Sequence, residues 1–177
     1  MRGQGGYTLT EVLIALVVGA GLAGLGLGAA RFAFAEAKES SYLQHFDTVV
    51  SAARALAPNG DFAAVTGAAI ASGSGWPAAW RSEAGDVVDP GRRLAVIAPT
   101  ALTDRGQAPN SAISVRYDGL SEGECINFSE GFAPRVAALL VNGSEAMVAS
   151  RDRGEIDPAA LQAACQDNGN QVTAIVE

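Results

Sequence analysis

The chain has 177 residues, 49% of them hydrophobic, and a formal net charge of −7. That length supports one compact domain plus an anchor and is too short for two sizeable cores. The acidic balance argues against a nonspecific grip on nucleic acid, which neutralises phosphates with basic side chains. The pairs Arg92-Arg93 and Arg151/Arg153 read as solvated surface.

The N-terminal stretch is the most informative. A short leader with one positive charge, Arg2, runs into Gly6, then Tyr7, and a lone carboxylate, Glu11, stands at the mouth of an apolar run. No charge occurs from Val12 to Ala30, a run of 19 residues. As a helix it would be about 28 Å long, roughly the hydrocarbon thickness of a bilayer. An ionised carboxylate at such a place is costly unless it is paired. The glycine pattern Gly19, Gly21, Gly24 also fits a dinucleotide-binding turn, with Glu39 as the distant acid. No apolar strand run precedes Glu39, however, and the chain lacks repeated strand–helix alternation. Small residues that let membrane helices approach, such as Gly24 and Gly28, explain the pattern better.

Leader, glycine, spacing to the acid and apolar helix together resemble the N-terminus of a type IV prepilin. The resemblance implies cleavage by a prepilin peptidase between Gly6 and Tyr7, N-methylation of Tyr7, and a role for Glu11 in assembly. In a bundle of such helices, a carboxylate on one copy can meet the terminal amine of its neighbour and so fix the stagger. It further implies a helical homopolymer, an assembly ATPase and an inner-membrane platform as partners. The location implied is the bacterial inner membrane for the precursor, then an extracellular pilus. The alternatives are a minor pilin or a secretion pseudopilin, which share the anchor, and a membrane-anchored periplasmic binding module that never polymerises.

Beyond Arg31 the helix is expected to continue in amphipathic form, with Tyr42, Phe46, Val49, Ala53 and Leu56 as its buried stripe. His45 lies beside that stripe and reads as structural. Pro58-Asn59-Gly60 ends the helix. Asp61–Val65 is expected to start a short helix, Ser72–Gly75 is loop, and Trp76, Pro77 and Trp80 cover the core. Strand candidates are Leu94–Ile97, Ala112–Tyr117 and Ala138–Val141. Asn142-Gly143 is a hairpin signal, with Met147–Ala149 as the return strand. Asp157-Pro158 opens a helix running through Cys165, and Gln171–Val176 closes the chain as a strand.

Cys125 and Cys165 are the only cysteines, both downstream of the apolar segment. A basic N-terminus before a membrane anchor places them outside the cytoplasm, where a disulfide persists. The looser pattern of Cys125, Phe128, Phe132 and Val136, the 141–143 turn and an alanine-rich helix with Cys165 resembles heads of the type IVb pilin branch. The fold class expected is α+β and pilin-like: a long N-terminal helix packed on an antiparallel sheet. The divisions are 1–6 as leader, 7–57 as long helix with 7–30 in membrane or fibre core, and 58–177 as globular head.

No catalytic constellation is seen, since with His45 as the only histidine a serine or cysteine nucleophile lacks an obvious base. No cofactor or metal is expected. Asp152, Glu155 and Asp157 suit a calcium loop but equally a solvated one. Asn127 and Asn142 begin short glycosylation triplets, which are common by chance.

Overall fold

A computed structural model describes residues 40–102, 108–143 and 156–177. They belong to one compact unit, Glu39–Glu177. The elements, in chain order, are helix α1 (40–56), the short helix α2 (Gly67–Ala71), strands β1 (Ala95–Thr100) and β2 (Ala112–Leu120), helix α3 (Glu122–Phe132), strand β3 (Ala138–Val141), helix α4 (Pro158–Ala164) and strand β4 (Asn170–Val176). The arrangement is α+β, as the sequence pattern implies.

Helix α1 buries Tyr42, Phe46, Val49 and Ala53 and leaves Gln44, Asp47 and Arg54 in solvent. The expected last member of the stripe, Leu56, is instead 48% exposed, and Ala57 is buried in its place. A period of 3.6 residues favours a step of four at this point, so the face passes from position 53 to position 57. Pro58 cannot donate to the helix, and the Gly60 amide caps the Ala57 carbonyl at 2.9 Å.

The sheet runs in the order β1-β2-β4-β3, with each neighbouring pair antiparallel. The rows Ala95–Tyr117–Val172–Val141 and Ile97–Val115–Ala174–Leu139 are buried throughout and form the inner face. The row between them, Val96–Arg116–Thr173–Leu140, is only half-buried, which is the period-two alternation of a sheet covered on one side. Helices α1 and α3 supply that cover. Tyr42 packs on Phe128 with centroids 4.3 Å apart, and Phe46 stacks on Phe132 at 4.5 Å. Both helices repeat their aromatics four residues apart, so the two run side by side in the same direction. Each such pair is worth about 0.5–1.5 kcal/mol beyond area burial.

Three details depart from the sequence reading. The segment Asp61–Val65 is a turn, because the Asp61 carboxylate accepts from the Ala63 amide at 3.0 Å. The short helix begins later, capped by the Thr66 hydroxyl, which accepts from the Ala69 amide at 3.2 Å. Helix α3 was not anticipated. Its start is a capping box, with the Ser121 hydroxyl accepting from the Glu124 amide and the Glu124 carboxylate accepting from the Ser121 amide. Finally, Asn142 and Gly143 take φ of 53° and 71°, as a tight turn requires, but the described partner of β3 is the C-terminal strand β4. The expected return strand Met147–Ala149 lies outside the described residues.

One glycine is fixed by close approach. A Cβ built on Gly91 would stand 2.5 Å from the Tyr42 hydroxyl oxygen, which is itself held by Arg93. Gly91→Ala is expected to destabilise the head by about 1–3 kcal/mol. Urea unfolding followed by tryptophan fluorescence would register this as a lower midpoint with an unchanged slope.

Candidate functional site

The processing and assembly residues expected from the sequence, Gly6, Tyr7 and Glu11, lie outside the described residues, as does the segment 7–30. No described helix is long and apolar enough to cross a membrane. The chemistry on view is structural, and it concentrates at the first described turn of α1 and where the cysteines meet.

Arg93 organises the first of these places. Its guanidinium donates to Asp89 Oδ2 (2.9 Å), to the Tyr42 hydroxyl (2.7 Å), to the Gly119 carbonyl (3.1 Å) and to Glu124 Oε2 (3.2 Å). One cation thereby joins α1, the turn before β1, the end of β2 and the first turn of α3. The turn itself is closed by the Arg93 amide donating to Asp89 Oδ1 (2.7 Å) and the Asp89 amide donating to the Arg93 carbonyl (2.8 Å). The reading of Arg92-Arg93 as solvated surface therefore fails for Arg93: it must lie inward because Asp89, only 1% exposed, needs a counter-charge. Burial works against the Arg93 charge, but the hydrogen bond and charge of Asp89 outweigh it and raise the pKa above its ordinary value. Burial likewise pushes the Tyr42 hydroxyl up to about 12, with Asp89 adding to the rise and Arg93 opposing it. Tyr42 thus stays a neutral acceptor for Arg93.

The second place is the disulfide. Cys125 on α3 and Cys165 at the C-cap of α4 are bonded, with Cα atoms 5.8 Å apart and the two positions 40 apart in sequence. Helix α4 is set by Asp157, whose carboxylate accepts from the Ala159 amide at 3.0 Å, with Pro158 at the first helical position. Just beyond the bridge, the buried Asn170 side chain uses its whole amide. Its Oδ1 accepts from the Gln166 amide (2.7 Å) and Asn142 Nδ2 (3.1 Å), while its Nδ2 donates to the carbonyls of Gln166 (2.6 Å) and Leu120 (3.2 Å). Asn142 also donates to the Ala164 carbonyl at 2.8 Å and accepts from the Gln171 amide at 2.8 Å. The loop between α4 and β4 is closed by covalent and polar bonds together.

Sequence reasoning named the two cysteines but missed Arg93, Asn142 and Asn170 as structural nodes. Asn142 was noted only for its turn, and the acidic spacing Ser121-x-x-Glu124 before apolar residues was the available sign of α3. Of the weighed calcium loop, Asp157 is committed to capping α4, and Asp152 and Glu155 lie outside the described residues. Among the described residues there is no cluster of three or more histidine, cysteine or carboxylate side chains suited to a metal ion. Arg151 and Arg153 are also outside.

Residues 1–27 match the prokaryotic N-terminal methylation motif. The fold is similar to that of a type IVb pilin from Salmonella typhi, with a TM-score of 0.53 and 14% identity, over 76% of this chain and 97% of that one. It is similar also to TcpA, a type IV pilin from Vibrio cholerae El Tor, with a TM-score of 0.54 and 11% identity, over 79% and 99% of the two chains. A search of curated protein sequences found no match. The chain therefore carries the methylation motif of prepilins together with a pilin-like fold.

Two measurements probe the nodes. Arg93→Met leaves the Asp89 carboxylate buried without its partner and is expected to cost about 3–5 kcal/mol, read as a lower urea midpoint. Replacing both Cys125 and Cys165 by serine should cost about 2–5 kcal/mol. Adding reductant should then lower the melting temperature of the parent protein but not that of the double variant.

Proposed function

We propose that this chain is a structural subunit of a type IV pilus filament. It is made as a precursor held in the bacterial inner membrane by residues 7–30. It is cut between Gly6 and Tyr7 by a prepilin peptidase, methylated on Tyr7, and packed through its N-terminal helix into a fibre core. Residues 1–6 are the leader, 7–57 the long helix and 58–177 the outward head. An assembly ATPase and an inner-membrane platform drive export, and the mature subunit resides in an extracellular fibre. The observation that carries this reading is the coincidence, in one chain, of a methylation motif at 1–27 with a disulfide-closed head of type IVb pilin fold.

Glu11 supplies the register. Between helices in a fibre its carboxylate meets the terminal amine of a neighbouring copy, and each group relieves the other of an unpaired charge in an apolar bundle. Removing one partner costs about 3–5 kcal/mol per contact, and a fibre repeats that loss at every subunit. Glu11→Ala is accordingly expected to abolish fibres while precursor still reaches the membrane, as judged by electron microscopy of sheared surface material and immunoblots of the membrane fraction. Normal fibres from this variant would refute the pairing.

Intact-mass spectrometry separates the filament reading from an anchored binding module. A pilin begins at methylated Tyr7, whereas a module that never polymerises keeps Met1–Gly6. The abundance of the chain in sheared fibres separates a bulk subunit from a minor pilin or a pseudopilin.

A further inference from the structure

The sequence contains a single histidine, and α1 buries it completely: His45 is 0% exposed. Its surroundings come from three directions. The segment after α2 contributes Trp80 and Trp76, with ring centroids 5.0 and 6.0 Å away, both nearly perpendicular to the imidazole. Strand β2 contributes Tyr117, whose hydroxyl oxygen is 3.1 Å from Nδ1. The turn before β1 contributes the Val88 backbone and the Asp89 carboxylate. Tyr42, one turn earlier on α1, and Arg93 complete the polar groups at this place, and both are bonded to each other.

Burial outweighs what these groups offer an imidazolium. Burial pushes the Tyr117 hydroxyl well above its ordinary pKa, so it stays neutral and shares one hydrogen bond with Nδ1. The other ring nitrogen, Nε2, has no hydrogen-bond partner. The Val88 backbone lies near enough to favour the charged form slightly, yet without hydrogen-bond geometry. Asp89 also favours it, but both carboxylate oxygens are committed to Arg93. A proton added to the ring makes both nitrogens N–H donors and leaves a buried charge with the Nε2 N–H unsatisfied.

The cover over His45 has a weak side. Strand β2 is bonded on both edges, to β1 and β4. Residues 76–88 have no regular strand pairing: Trp76 at one end and Val87 and Val88 at the other are buried, while the middle is held by the isolated bridge Arg81–Val87, by Trp76 Nε1 donating to the Trp80 carbonyl at 3.0 Å and by the Arg92 guanidinium donating to the Ala79 carbonyl at 2.9 Å. Trp80 is half-buried and its neighbours Ala78, Ala79 and Arg81 are exposed.

We propose that His45 is a proton-operated release for the 76–88 strap: on protonation the Trp76–Trp80 cover lifts so that water can reach Nε2, while the sheet and the α1–α3 pairing stay closed. The direction follows from burial, which holds the imidazole down to about 4 from its ordinary 6.5, against the opposing pull of Asp89 and Val88. Between those values the open strap takes up the proton and the closed strap does not, so opening grows as pH falls. With these two values the opening constant at pH 4.5 is roughly 70-fold its value at pH 7.5. The inference is independent of whether the chain polymerises.

Hydrogen exchange of the full chain in detergent at pH 7.5 and 4.5, corrected for intrinsic rates, tests it. Peptides from 76–88 should lose roughly 70-fold in protection at the lower pH, with β2 and β4 peptides nearly unchanged. His45→Phe should keep the strap equally protected at both values. Equal protection in the parent protein, or the same loss in His45→Phe, would overturn the proposal. Should that variant not fold, NMR titration of the one histidine ring in the parent protein decides: strap opening and ring protonation must share a midpoint, and a ring that charges with the strap closed refutes it.

Discussion

The head depends on one requirement: the apolar stripe of α1 must be kept from water along its whole described length. Tyr42, Phe46, Val49 and Ala53 cannot bury one another, because they share a single helix face. Sheet and α3 meet that face together, and the aromatic pairs Tyr42–Phe128 and Phe46–Phe132 fix how the two helices lie. The order of the sheet then follows. Its inner rows end at Val141 and Val172 on one side and at Val176 on the other, each buried. The C-terminal strand β4 has to run between β2 and β3 to complete them.

Polar groups secure the ends of this apolar contact rather than its middle. At the first described turn of α1, Arg93 replaces the water that Tyr42, Asp89 and the Gly119 carbonyl would otherwise hold. Its fourth partner, Glu124, is also the residue that closes the N-terminus of α3. One carboxylate therefore serves a helix cap and an ion pair, and the position of α3 is tied to that of α1. The bridge Arg135–Asp47 is of a different kind. Both side chains are largely exposed, 43% and 56%, and such a pair contributes little in water.

Much of this was legible in the sequence, and the failures have physical causes. The alternation in Ala112–Tyr117 and Gln171–Val176 and the Asp157-Pro158 start of α4 are local signals, and the elements form where those signals lie. Strand pairing is not local. Asn142-Gly143 announces a turn but does not say which strand lies against β3, and β4 begins 27 residues after the turn ends. Helix α3 was obscured by Gly123 and Gly131, which weaken its propensity, although the capping box and the apolar positions 125, 128 and 132 marked it. Arg92 and Arg93 are adjacent and chemically alike. Arg92 is exposed, whereas Arg93 faces a buried carboxylate four residues back, and only the closed turn distinguishes them.

The same division bears on the filament reading. The apolar run of residues 12–30 holds five glycines, Gly19, Gly21, Gly24, Gly26 and Gly28. Each costs about 1 kcal/mol relative to alanine in a water-exposed helix, whereas lipid forbids the unpaired backbone that unwinding would create. In the proposed subunit, a helix of that composition would hold best while surrounded by lipid or by other copies. The head has the opposite design. A covalent bridge, a fully bonded Asn170 and a buried cation hold it independently of any neighbour. A subunit that moves from membrane to fibre, as proposed, exchanges the surroundings of its anchor entirely. The described partners of these three restraints all lie within the head or the described part of α1, so the head is built to stay folded through that exchange.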